Sequence, residues 1–97
     1  MEISQRVEAY IEKNFLASEA GILKYELASL SGEVAEKGGE FSERIASAII
    51  IIAELDFDLL GAAVDLTKRD WRDVLSSSGL EMEDWRLKVG ALLGPPA

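Results

Sequence analysis

The chain has 97 residues with no cysteine and no histidine, and its 10 basic against 18 acidic side chains give a formal net charge of −8. These two absences exclude a disulfide scaffold, a zinc site built on cysteine or histidine, and a catalytic triad with a histidine base. The acidic balance argues against binding to a nucleic-acid backbone, and the length predicts a single helical domain over residues 1–97 with one modest core.

Two amphipathic helices are predicted in the first part of the chain. Apolar residues recur at helical spacing from Ile3 to about Asn14, which predicts the first helix. Ser18 is the predicted N-cap of the second, because its hydroxyl can accept from an unpaired amide of the first turn. The apolar stripe of this second helix is Leu16, Leu23, Leu27, Leu30 and Val34. The glycine pair 38–39 is predicted to end it, and Gly32 leaves open whether it is unbroken.

Residues 48–53, four isoleucines between two alanines, can form either a buried strand or a buried helix. The β-branched side chains suit a strand. Periodicity favours a helix with Ser42 as its N-cap, because on a helical wheel the apolar residues lie within an arc of about 120°. These residues are Phe41, Ile45, Ala48, Ile49, Ile52 and Leu55.

Three further helices are predicted in the second half of the chain. Asp56 and Asp70 are the predicted N-caps of two of them. The glycine and leucine at 79–80 are typical of a Schellman motif that ends the second. The last helix is predicted over residues 82–93, and the glycine and two prolines at 94–96 end it because proline cannot continue a helix. The chain is therefore predicted to be all-α, a small bundle of about five or six short helices.

No secretory signal or membrane span is predicted. The sequence begins with an acidic residue at the second position and has no apolar segment of the kind that a signal peptide needs. Its longest uninterrupted apolar run is residues 48–53, whereas about 18–20 apolar residues are needed to cross a bilayer. The expected location is the cytoplasm, with no membrane partner.

No catalytic, cofactor or metal site is predicted. The chain has no glycine-rich phosphate-binding motif, and any acid–base residue would have to be Asp, Glu, Lys or Tyr. Residues 56–61 begin like a calcium-binding loop, but Leu60 stands at a ligand position and Thr67 replaces the bidentate glutamate. The protein is therefore expected to be non-enzymatic and to hold no cofactor.

One cluster combines basic and aromatic side chains and is the candidate for contact with nucleic acid. It consists of Lys68, Arg69, Trp71, Arg72 and Arg86. Residues 71–93 also have a helix–turn–helix outline, but Glu81, Glu83 and Asp84 open the second helix and oppose binding to phosphates. The simpler interpretation is that Arg69 and Arg72 pair with nearby acids or stack on a tryptophan where two helices join. A small regulator that contacts nucleic acid is therefore the alternative function.

Four apolar residues lie away from the apolar stripe of their helix and form the candidate interface. They are Ile50 and Ile51 in the third helix, and Ile22 and Tyr25 in the second. Either the third helix is enclosed by the rest of the chain, or these residues contact a second copy. A short chain has little surface with which to cover them, which favours the second copy. The expected function is a self-associating protein–protein interaction module, a homodimer or higher oligomer, or one that binds another protein.

Residues 43–80 resemble a group of short, uncharacterised bacterial helical proteins. The resemblance is carried by an acid–aromatic–Arg–acid–aliphatic–Leu sequence at 70–75, followed by Gly79 and Leu80. Those proteins tend to have Ala-Ala-Gly where this chain has Ser77, Ser78 and Gly79. The resemblance implies a small helical bacterial protein and brings no activity with it.

Overall fold

The computed structural model describes residues 1–94, which form six α-helices and no β-strand. The helices are α1 (Gln5–Asn14), α2 (Ala17–Ala28), α3 (Glu33–Lys37), α4 (Gly39–Ala53), α5 (Phe57–Ser78) and α6 (Trp85–Leu93). The prediction of an all-α bundle with five or six helices is confirmed. Pro95 and Pro96, which were predicted to end the last helix, lie outside the described residues.

Helix α4 is the centre of the bundle, because α1, α3, α5 and α6 all pack against it. The prediction of a helix over residues 48–53 is confirmed, and most of its apolar side chains are buried. Ile50 was predicted to lie against a second copy, and this is wrong: only 2% of it is exposed within the single chain. Ile51 is half-buried and packs against the same core. The alternative interpretation, a central helix enclosed by the others, is the correct one for Ile50.

The beginnings of α1 and α2 are set by local polar contacts. The Ser4 hydroxyl accepts from the Val7 amide and caps α1. Helix α2 begins at Ala17, so the prediction of Ser18 as its N-cap is wrong. The carboxylate of Glu19 instead accepts from the Leu16 amide at 3.3 Å, which satisfies a backbone donor at this helix start.

The predicted stripe of the second helix is divided among α2, α3 and the segment between them, which contains Leu30. Gly32, with φ of +74°, separates the two helices, and Gly38, with φ of +55°, follows α3. Four members of the stripe are buried as predicted, whereas Leu16 is exposed. The four are Leu23, Leu27, Leu30 and Val34.

Gly38 also precedes the first turn of α4, so Ser42 is not the N-cap that the sequence predicted. Ser42 lies inside the helix and is buried, and its hydroxyl has no hydrogen-bond partner within residues 1–94. The helix begins at Gly39 because the Gly38 carbonyl accepts from the amides of Phe41 and Ser42.

The turn between α4 and α5 has three residues, 54–56. Glu54 and Leu55 both have left-handed backbone conformations, with φ of +51° and +65°. Such a conformation costs a residue other than glycine about 1–2 kcal/mol. The helix ends before Leu55, which is exposed, so the prediction that Leu55 continues its apolar stripe is wrong. Asp56 caps α5 as predicted, since its carboxylate accepts from the Asp58 amide at 2.9 Å.

Helix α5 is kinked at Asp70, where the backbone leaves the helical conformation (φ −157°, ψ 91°). The Asp70 carboxylate accepts from the Arg72 amide at 3.2 Å, so the prediction that Asp70 caps a new helical segment is confirmed. The predicted Schellman motif is confirmed as well. Gly79 has φ of +80°, and the Leu80 amide donates to the Leu75 carbonyl at 3.0 Å. Helix α6 begins at Trp85, three residues later than predicted.

None of the helices within residues 1–94 combines the length and the apolar character that crossing a membrane requires. The apolar run at 48–53 is used inside the bundle, where α4 packs against its neighbours.

Candidate functional site

An ion pair between Arg6 and Glu43 joins α1, α4 and α6. Arg6 Nε lies 2.9 Å from Glu43 Oε2, and Arg6 Nη2 lies 3.1 Å from Oε1, so the contact is bidentate. The Ser4 hydroxyl donates to Glu43 Oε2 at 2.7 Å, and Arg6 Nη1 donates to the Gly94 carbonyl at 2.8 Å. Both side chains are largely buried. Each charge is therefore compensated within the chain.

The pKa of Glu43 follows from these contacts. The hydrogen bonds from Arg6 hold this pKa below its ordinary value, although burial of the carboxylate acts in the opposite direction. The hydrogen bond from Ser4 lowers it further. The network stabilises the ionised form of Glu43 and has no group left over for a ligand.

A second cluster lies where α6 packs against α4. We call Arg44, Trp85 and Arg86 the Trp85 cluster. The guanidinium carbon of Arg44 is 4.7 Å from the centroid of the Trp85 ring, and that of Arg86 is 4.5 Å from the centroid of the same ring. Arg44 Nε donates to the Leu80 carbonyl at 2.7 Å, and Arg86 Nε donates to Glu40 at 2.9 Å. Two cations thus share one half-buried indole.

Arg44 differs from Arg86 in having no acidic partner among the described residues. Throughout residues 1–94, no carboxylate oxygen lies within 4.0 Å of its guanidinium nitrogens. Burial, and to a smaller extent the positive charge of Arg86, lower the pKa of Arg44. The Trp85 cluster therefore carries one more positive charge than its own ion pair compensates.

A third cluster surrounds Trp71, on another side of α4. Phe41 meets the Trp71 ring edge-to-face at 5.2 Å, and the guanidinium carbon of Arg72 lies 4.5 Å from the ring centroid. The Trp71 indole donates to Glu33 at 3.0 Å, and Arg72 is 3.9 Å from the same carboxylate. Lys37 Nζ lies 5.2 Å from the centroid of the Phe41 ring. A cavity of about 260 Å³ opens beside Trp71, with lining residues that include Thr67 and Lys68.

The structure divides the predicted basic and aromatic patch. Lys68, Trp71 and Arg72 are neighbours around the cavity and the Trp71 ring, whereas Arg86 belongs to the Trp85 cluster. Arg69 is exposed and makes no ion pair or aromatic contact within the described part of the chain. The interpretation that Arg69 and Arg72 pair with acids or stack on a tryptophan is confirmed for Arg72 and, within the described residues, wrong for Arg69. Arg86 makes the same kind of contact with Trp85.

Sequence reasoning missed Arg44. Its partners, Leu80 and Trp85, are far away in sequence, and only the packing of α6 against α4 brings them to it. One local signal was present, since Glu40 and Arg44 have the i, i+4 spacing that favours an ion pair on a helix. In the folded chain Glu40 instead pairs with Arg86.

Two of the four candidate interface residues are exposed. Ile22 is 49% exposed and Tyr25 is 76% exposed, and both lie on the outer side of α2. The opposite side of α2 contributes the fully buried Leu23 and Leu27 to the core. Helix α2 is therefore apolar on the side that faces the core and on the side that faces solvent.

The turn before α6 is acidic. Glu81, Glu83 and Asp84 are all exposed, and Asp84 is 3.5 Å from Lys88. The start of the second helix in the helix–turn–helix outline is thus negatively charged, as its sequence indicates, and it would repel a phosphate backbone. No group of three His, Cys, Asp or Glu side chains in residues 1–94 is placed to hold a metal ion.

Comparison of the chain with protein-family models, with curated proteins and with solved structures found no match. The resemblance of residues 43–80 to short bacterial helical proteins therefore stays a prediction. Two features of the described residues bear on function: the exposed apolar side of α2, and the uncompensated charge of Arg44.

Proposed function

We propose that this protein is a non-enzymatic interaction module of the cytoplasm that associates with a second copy of itself through the outer side of α2. The observation that carries the proposal is the exposure of Ile22 and Tyr25 on a helix whose inner side is already buried. Contact with a second subunit would remove this apolar surface from water, at roughly 25 cal/mol for each Å² buried.

The charge distribution supports a second copy as the partner. On a helical wheel the outer side of α2 covers an arc of about 100° in which every residue is uncharged. The residues are Ser18, Gly21, Ile22, Tyr25 and Ser29, and all are exposed. Two chains that each carry a net charge of −8 repel one another, so they can approach most closely through a surface that carries no charge.

Gly21 gives a further reason to place a partner helix here. It lies in the interior of α2, where glycine is about 1 kcal/mol less favourable than alanine. Apart from the adjoining backbone of α2, a Cβ atom at this position would have no atom of the described residues within 4 Å. Neither its backbone conformation nor its packing within the chain requires glycine. A helix from a second copy could approach the α2 backbone closely at Gly21.

The experiment compares lysine substitutions at two exposed apolar residues on different helices. Ile22→Lys places a charge in the proposed interface and should convert the assembled protein to a helical monomer, because an unpaired charge in an apolar contact is unfavourable. Leu87→Lys, at an exposed residue of α6, is the matched control and should leave assembly unchanged. Analytical ultracentrifugation measures both. A wild-type protein that is monomeric at high concentration, or equal dissociation of the two variants, contradicts the proposal.

Contact with nucleic acid through Lys68, Arg69 and Arg72 is the second candidate. Exposed Arg69, which has no ion pair in the described residues, favours it, and the acidic turn before α6 opposes it. Added salt separates the two functions. Apolar self-association should persist or strengthen as repulsion between the acidic subunits is screened, whereas binding to phosphates should weaken steeply.

A further inference from the structure

The Trp85 cluster contains two guanidinium groups and one indole held by contacts within the chain. Because both guanidinium carbons lie within 4.7 Å of the centroid of the same ring, the separation between them cannot exceed the sum of these two distances. We propose that Arg44 and Arg86 together bind the phosphate group of a small anionic ligand. This proposal is independent of self-association through α2.

The guanidinium of Arg44 is held in place by contacts within the chain. Its Nε is occupied by the Leu80 carbonyl, and its aliphatic stem and guanidinium pack beside Trp85. Its two Nη groups make no hydrogen bond within residues 1–94. An arginine whose position is fixed by one hydrogen bond and one stacking contact loses little conformational freedom when a ligand arrives.

The surrounding charges leave room for an anion. Among residues 1–94, Glu40 is the only carboxylate paired with the cluster, and it and Arg86 are each 67% exposed, so this ion pair is weak and easily displaced. Of the acids beside the cluster in sequence, Glu81 and Glu83 are exposed to solvent, which screens their charge, and the other two have their own cations. Glu43 is held by Arg6, and Asp84 lies beside Lys88. The burial and like-charge repulsion that lower the pKa of Arg44 would both be opposed by a bound anion.

Phosphate fits this arrangement better than a carboxylate does. A single planar carboxylate matches the fork of one arginine, whereas a tetrahedral phosphate dianion can offer oxygens to two guanidinium groups that approach from different directions. Its two negative charges also match the two cations of the Trp85 cluster.

The test uses inorganic phosphate as the probe and follows the Trp85 indole resonance by NMR at constant ionic strength. Phosphate should shift this resonance saturably, whereas sodium chloride at the same ionic strength should not. Arg44→Gln should weaken binding about tenfold or more, the equivalent of one charge-assisted hydrogen bond. Glu40→Gln should strengthen binding, because it removes the competing carboxylate. Arg72→Gln is the control, since Arg72 stacks on the other tryptophan.

Two outcomes would overturn the proposal: an equal response to chloride and phosphate, or an unchanged phosphate affinity in the folded Arg44→Gln variant. Glycerol phosphate distinguishes the source of the phosphate group. Tighter binding of glycerol phosphate than of inorganic phosphate indicates a phosphate monoester as the ligand, and the reverse order indicates the free ion. Either order supports the site, because both require Arg44.

Discussion

Glu43 and Arg44 are consecutive residues of α4 that point in directions about 100° apart, and they differ in how completely the chain compensates their charge. Glu43 accepts from two nitrogens of Arg6 and from the Ser4 hydroxyl. Arg44 has one carbonyl and one aromatic ring, and its nearest charged neighbour in the Trp85 cluster is another arginine. A charged group that is compensated by a counter-charge and hydrogen bonds within its own chain stabilises the fold. A charged group left incomplete, without such a counter-charge, has donors available for a ligand.

The largest expected effect is that of breaking the completed pair. Glu43→Gln leaves the largely buried Arg6 without a counter-charge and should lower the free energy of unfolding by about 2 kcal/mol. Glu40→Gln is the matched control, because Glu40 also lies on α4 and also pairs with an arginine at 2.9 Å, but in an exposed position. Its effect should stay below about 0.5 kcal/mol. Urea denaturation measures both, and similar losses would contradict the comparison.

Acid should remove part of that stabilisation. The folded chain lowers the pKa of Glu43, so the contribution of its ionised form is present above the unfolded pKa of about 4.3 and is lost as the pH falls through the lower folded pKa. The difference in unfolding free energy between wild type and Glu43→Gln should therefore narrow below about pH 4.3. Urea titrations over this range measure the difference. A constant difference would show that hydrogen bonding to a neutral carboxyl suffices.

A smaller effect is expected from removing the incomplete charge. Arg44→Met keeps an unbranched stem beside Trp85 and removes a guanidinium that is both desolvated and repelled by Arg86. It also leaves the Leu80 carbonyl without its donor. These changes oppose one another, so the free energy of unfolding should change by less than about 1 kcal/mol. Thermal denaturation in phosphate-free buffer measures it, and a loss as large as that of Glu43→Gln would make Arg44 a structural residue.

Features that depend on neighbouring residues could be predicted from the sequence. The cap at Asp56 and the Schellman motif at Gly79 each arise within a few residues, so their patterns are sufficient to identify them. The cap at Ser18 was predicted wrongly because Glu19 offers a competing local contact to the backbone. The N-cap pattern is ambiguous here because the side chains of Ser18 and Glu19 are both able to accept from a backbone amide at the start of α2.

Features that depend on which helices become neighbours could not be predicted. Ile50 lies off the main apolar stripe of α4, and its burial follows from the packing of four helices around α4. The Trp85 cluster has the same origin, since α6 must dock against α4 before Arg44 and Trp85 can meet. A helical wheel gives the directions of side chains and contains no information on how many neighbours a helix has.

The turn at residues 54–56 and the hydrogen bond between Arg6 and Gly94 enclose very different lengths of chain. The two left-handed residues of the turn let α4 and α5, the two longest helices and the pair with the most extensive mutual contact, follow one another directly. Loop-closure entropy rises with the length of chain enclosed, so a three-residue turn brings these two helices together at little entropic cost. The bond from Arg6 to the Gly94 carbonyl has the opposite property, because it encloses nearly the whole chain. This contact therefore links residues near the two ends of the described chain, whereas the turn links helices that are adjacent in sequence.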